Sequence, residues 1–192
     1  PVGDLLTAVK ALKPTAIIGL AAVGGTFTEA VLKAMAEINR QPIIFALSNP
    51  TSQSECTADE AYRWTGGRAL FASGSPFDPV TVQGKTLVAR QGNNSYIFPG
   101  VGLGVIASGA RHVTDEMFYA AARALAAEVS EEDLAQGSLY PPLSRVREVS
   151  ASIAAAVAEI AYQSGLAALP RPSDLGAYLR EQMYDPHYRS LV

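Results

Sequence analysis

Apolar positions in the first third of the chain alternate between two periods. In DLLTAVKAL, residues 4–12, Leu5, Ala8, Val9 and Leu12 recur at spacings of three and four, which predicts one helical stripe. Lys13-Pro14 ends it, because a residue before proline is pushed out of the helical region. TAIIGLAA, 15–22, is instead a short unbroken apolar run, expected as a strand buried on both faces. Gly24-Gly25 turns the chain, and Thr28 caps a helix with Val31, Leu32, Met35 and Ile38 inward. Pro42 closes that segment, and IIFAL, 43–47, reads as a second buried strand. SNPTSQSECT, 48–57, is loop chemistry. Thr57 and Glu60 have capping-box spacing for a short helix ending near Gly66-Gly67, and ALFAS, 69–73, reads as a third strand.

Strands and helices alternating over short connectors predict parallel βαβ units in a doubly wound α/β sheet. The pattern then changes. VTVQGKTLVA, 80–89, centred on Gln83-Gly84, predicts an exposed hairpin, and helices dominate afterwards. Thr114 caps a helix with Phe118, Ala121 and Leu125 inward, and its Asp115 and Glu116 suit the positive end of the helix dipole. Residues 130–137 form a short capped turn. The clearest stripe follows Pro141-Pro142: Val146, Val149, Ile153, Val157 and Ile160. Residues 170–192 show no stripe and are expected to drape over a surface.

Composition narrows the field. The 192 residues are 48% hydrophobic and 17% charged, as in a well-packed chain rather than a disordered one. A net charge of −3 without a basic cluster argues against nucleic acid or an anionic membrane as main partner. Cys56 is the single cysteine, so an internal disulfide is excluded and an intracellular compartment is favoured. Apolar stretches are broken well before the ~20 residues of a membrane-spanning helix. The chain begins at Pro1 rather than Met, which reads as a fragment and leaves any targeting segment unread.

Parallel sheets bind ligands beyond the carboxyl ends of their strands, which singles out loops 21–28 and 48–57. Gly24 and Gly25 permit close backbone approach, although the full G-x-G-x-x-G fingerprint is absent and a tight packing turn is the alternative. Asn49 follows a buried strand, and Asn93-Asn94 precede a glycine-rich helix start. Each is either a turn residue or an amide able both to donate to and accept from a ligand. Pro99 with Gly100, Gly102 and Gly104 reads as a helix start packed closely against another backbone. His112 and His187 lack partners at metal-ligand spacing, Cys56 has no visible activator, and Ser73-Gly74-Ser75 lacks the nucleophile-elbow frame. Asp59-Glu60 and Glu131-Glu132-Asp133 occupy helical first turns, where acids help without chemistry. No general acid, base or carboxylate cluster emerges.

The stretch IIFALSNPTSQSECTADEAY resembles the malic enzyme family, as do GLAAVGGTFTEAVLKAMAEIN, RALFASGSPFDPV, QGNNSYIFPGVGLGVIASGARHVTDEMF and LAQGSLYPPLSRVREVSASIA. The resemblance covers the chain to about residue 168. It implies a Rossmann-like doubly wound sheet, in part, followed by a helical region. Residues 1–94 would be the second half of a dinucleotide-binding domain, 95–168 a helical segment returning to the substrate domain, and 169–192 a C-terminal extension. The implied reaction is oxidation of (S)-malate with NAD or NADP and decarboxylation to pyruvate and carbon dioxide, with Mg2+ or Mn2+. Asn49, Asn93 and Asn94 would contact substrate. Ala21, Ala22, Gly24, Gly25, Ser48 and Asn49 would line the cofactor. The family's tyrosine acid, lysine base, acidic metal ligands, substrate arginine and main glycine loop precede the matched segment, so no catalytic residue and no metal ligand is expected in this chain. A homo-oligomer, dimer or tetramer, is implied, in bacterial cytoplasm, with mitochondrion or plastid also compatible. The competing reading is a non-catalytic dinucleotide-binding or assembly module, and a weaker one is a fusion to an acyl- or phosphotransferase region.

Overall fold

The structure is a computed structural model that describes residues 3–185. Its contacts resolve two compact units, one running to Asn93 and including Val129–Pro142, the other made of Asn94–Glu128 and the residues from Leu143 onward.

A four-stranded parallel sheet organises the first unit. Strands β1 (Ala16–Gly19), β2 (Ile43–Ala46), β3 (Leu70–Ser73) and β6 (Arg90–Gln91) lie in that order. Helices α1 (Leu5–Leu12), α2 (Glu29–Ile38) and α3 (Ala58–Trp64) flank them, and β4 (Val80–Val82) and β5 (Lys85–Leu87) form the antiparallel hairpin expected from the sequence. Gln83 and Gly84 at its tip both have positive φ, as a tight hairpin turn requires. The caps also agree with the sequence. Thr28 Oγ1 accepts the Val31 N–H, and Thr57 and Glu60 form the reciprocal capping box.

The expectation that β1 is buried on both faces holds on one side only: Ile17 is 8% exposed and Ile18 59%. The strand order explains this. Strands added successively in one direction through crossovers of one hand carry their helices to the same face. Ile17, Ile44 and Phe71, paired across the sheet, share a core with Val9, Val31, Leu32, Met35 and Tyr62. Strand β6 is absent from the sequence pattern, since two residues carry no periodicity.

The second unit is helical. Helix α7 (Val146–Gln163) packs against α4 (Phe98–Ser108), α5 (Asp115–Ala127) and α8 (Leu175–Gln182). Val149, Ile153 and Val157 of the expected stripe are fully buried. Two readings are corrected here, and the tail gains an element. In α5 the inward residue is Met117, and Phe118 is 46% exposed, because 117, 121 and 125 keep the four-residue spacing of one face. In α4, Gly100 and Gly104 do press on α7, but a Cβ at Gly102 would meet nothing within 4 Å. The tail contains helix α8, capped by Asp174 and anchored by the buried Leu179. One buried side chain in eight residues makes no stripe. No helix among the described residues is long and apolar enough to cross a membrane.

Candidate functional site

The four parallel strands end in register: Gly19 pairs with Ala46, Ala46 with Ser73, and Ser73 with Gln91. The ladder runs one step further, with Leu47 N–H donating to Gly19, Gly74 N–H to Ala46 and Gly92 N–H to Ser73. The segments that follow therefore leave the sheet along one edge. A Cβ at Gly74 would sit 2.1 Å from the Leu47 carbonyl oxygen, so only glycine lets the chain after β3 pass there.

Loops 21–28 and 48–57 are bonded to one another. Ala22 N–H donates to Ser48 Oγ at 2.9 Å, Gly25 N–H to the Ser54 carbonyl at 3.1 Å, and Phe27 N–H to the Glu55 carbonyl at 3.0 Å. Gly24 lies where a Cβ would be 2.6 Å from the Ser52 carbonyl oxygen. Ala22 and Gly25 are both in the left-handed region, at φ 54° and 71°. Ala21, Ala22, Gly24 and Gly25 are exposed, so their backbone is approachable from outside. Asn49 is also exposed and precedes Pro50 through a cis peptide bond. Ser48 differs from its neighbours. It is buried, its hydroxyl donates to the Glu55 carboxylate, and its N–H reaches the other Glu55 oxygen at 3.3 Å. Sequence reasoning misses Glu55 altogether.

Asn93 lies two residues beyond β6, on the same edge of the sheet as Asn49, and is exposed. Its approach is set by Arg90, whose Nη1 donates to Asp133 Oδ1 at 2.7 Å and to the Tyr140 carbonyl at 2.8 Å. Burial raises the Asp133 carboxyl, but the Ser130 N–H and the Arg90 guanidinium outweigh it and hold it below its ordinary value. Burial also pushes the Tyr140 phenol up. Asn94 opens the 3-10 turn Asn94–Tyr96 of the second unit, its carbonyl accepting the Ile97 N–H.

The remaining candidates fall into place. His112 is exposed, and His187 lies outside the described residues. Burial, then Glu60 and Glu55, push the Cys56 thiol far up, which suits an inert core residue. Asp59 pairs with Arg63, one turn on.

Strands ending together, with two interlocked loops beyond them, the first bearing Gly24 and Gly25, define a parallel α/β domain of the nucleotide-binding class. Residues 2–162 match the family described as "Malic enzyme, NAD binding domain", and the chain belongs to that family. The NADP-dependent malic enzyme of Phaseolus vulgaris is 60% identical over 191 residues, covering 99% of this chain and 32% of that protein. That of Vitis vinifera is 59% identical over the same shares. Among solved structures, the malic enzyme of Pyrococcus horikoshii aligns with a TM-score of 0.71 at 28% identity, over 93% of this chain and 36% of its own. The Entamoeba histolytica malic enzyme aligns at 0.73 and 26%, over 93% and 32%. The chain thus spans about a third of the length of the curated relatives it matches.

Proposed function

We propose that this chain is the cofactor- and substrate-positioning part of an enzyme that oxidises (S)-malate and decarboxylates it to pyruvate and carbon dioxide, with NADP as the dinucleotide. The observation that carries the reading is the shared carboxyl edge, where Asn49, Asn93 and the exposed backbone of 21–25 leave one sheet. The names of the relatives favour NADP over NAD. The loops fit a dinucleotide: at Gly25 a Cβ would meet nothing within 4 Å, so a phosphate or ribose can approach the backbone there.

When bound, the nicotinamide would supply the acceptor for the hydride that leaves C2 of malate. What these residues contribute is alignment. A carboxamide can donate to a carboxylate and accept from a hydroxyl without adding charge, so Asn49 and Asn93 orient malate and ribose rather than move protons. Among the described residues no group of three or more His, Cys, Asp or Glu side chains is arranged to hold a metal ion. Ligands for the divalent ion of the proposed reaction would come from outside these residues. The assembly is proposed as a homo-oligomer.

In the full-length gene product, Asn93→Ala is expected to lower turnover or raise the malate KM by about tenfold, roughly 1.4 kcal/mol. Unchanged steady-state kinetics would remove Asn93 from the site. The 192-residue chain assayed alone is expected to form no pyruvate, because proton transfer is assigned to the tyrosine and lysine implied upstream. Full-length protein that binds dinucleotide yet never yields pyruvate would favour a binding module instead.

A further inference from the structure

Glu55 is 1% exposed, and none of the ion pairs among the described residues includes it. A buried carboxyl group outside any ion pair is costly unless donors satisfy it. Here both donors come from one residue: Ser48 gives its hydroxyl to one oxygen and its N–H to the other. Room for the carboxylate is made by Gly19, where a Cβ would lie 2.3 Å from Glu55 Cδ. The glycine that ends β1 thus admits the acid, and the acid grips the first residue of the loop carrying Asn49.

The bonds have a direction. The Ser48 hydroxyl donates to a Glu55 oxygen, so an Oγ lone pair faces the Ala22 N–H. This relay crosses from one ligand loop to the other. It ends at Ala22, whose positive φ of 54° is a conformation an alanine seldom adopts without support. The geometry points to Glu55 as a positioning residue for the dinucleotide, acting through Ser48 on the backbone of Ala22. It touches neither cofactor nor substrate. The inference rests on the cofactor reading above.

The test uses full-length protein titrated with NADP. Glu55→Gln replaces one acceptor oxygen by a donor and breaks the direction of the relay at nearly constant volume. Its dissociation constant for NADP is expected to rise about tenfold, while the malate KM at saturating NADP moves by less than about threefold. Ser48→Ala is expected to weaken NADP to a similar degree, and the double variant no further than either single one, because both interrupt one chain of bonds. Glu55→Asp, which keeps two acceptor oxygens, is expected to bind NADP more tightly than Glu55→Gln. An unchanged NADP constant in folded Glu55→Gln overturns the proposal, as does a double variant whose loss equals the product of the two single losses. If Glu55→Gln does not fold, Ser48→Ala decides, and an unaltered constant there overturns it too. Wild-type protein that fails to bind NADP refutes the cofactor reading itself, and that result appears before any variant is compared.

Discussion

Gly100 and Gly104 leave no space for a methyl group between α4 and α7. A Cβ at Gly100 would lie 2.6 Å from Ile153 Cβ, and one at Gly104 would lie 2.7 Å from the Ala154 carbonyl oxygen. Gly102, between them, has open space. The same substitution should therefore have opposite signs along one helix. Gly104→Ala is expected to destabilise the protein by about 1–3 kcal/mol through overpacking. Gly102→Ala should stabilise it by about 0.5–1 kcal/mol, by removing a flexible residue from a helix interior. Urea unfolding midpoints check both, and a Gly102→Ala loss as large as that of Gly104→Ala would place Gly102 in the packed face. The alternate spacing announces close packing but assigns it to all three glycines. A helix turns by roughly 100° per residue, so 100 and 104 share a face and 102 does not. Glu55 is illegible for a different reason: between Ser54 and Cys56 it reads as a solvated loop acid. Its carboxylate lies against Gly19 and Ser48, and local pattern does not register the approach of Gly19 from another strand.

The element Val129–Pro142 shows how a short helix with little core of its own is held. Helix α6 (Glu131–Ala135) begins with a Ser130–Asp133 capping box, and the same Asp133 accepts from Arg90 on β6. Val88 N–H donates to the Gln136 carbonyl and Ser138 Oγ to the Val88 carbonyl, so the segment is stitched to the chain between β5 and β6. Sequence pattern marks the acids of that first turn as dipole partners alone, which for Asp133 is incomplete. A carboxyl held below its ordinary value of 3.8 in the fold contributes stability that is whole above that value and lost as pH falls through the folded one. Amide protection across 131–138, taken relative to the intrinsic exchange rate, is thus expected to fall in acid below about pH 4, and Asp133→Asn to remove that fall. At neutral pH Asp133→Asn should cost about 2–3 kcal/mol. That is less than for a fully buried pair, because the Arg90 side chain keeps 18% exposure. Wild-type protection that does not change on acidification would show the pair idle. Elements with a period are legible in the amino-acid sequence: α2, α3, β2, β3, the hairpin and α7 lie where the pattern puts them. Those without one, β6 and α8, are not, since two residues and a single anchored leucine carry too little repetition.

At the scale of the molecule, the residues assigned to dinucleotide belong to the first unit, and the amides of Ala22, Gly25 and Ser48 are already engaged with the protein. A ligand seated on loops 21–28 and 48–57 would have to add contacts to this lock rather than build it. Binding to the folded state alone stabilises by a known amount, about 2.7 kcal/mol at a hundredfold excess over the dissociation constant. NADP is therefore expected to raise the unfolding midpoint of the full-length protein. It should also slow exchange of the Ala22 and Gly25 amides more than that of amides in α7, which belongs to the second unit. NAD at equal concentration should do less of both. The fold class and the two loops are readable from alternating runs and glycines, whereas dinucleotide preference is not, because none of the residues assigned to the cofactor discriminates a ribose 2′-phosphate. That leaves the comparison of the two dinucleotides as the decisive measurement. Equal midpoint shifts from NAD and NADP would contradict the NADP assignment. Protection confined to α7 would mean that the ligand sits away from the carboxyl edge, whatever the relatives are called.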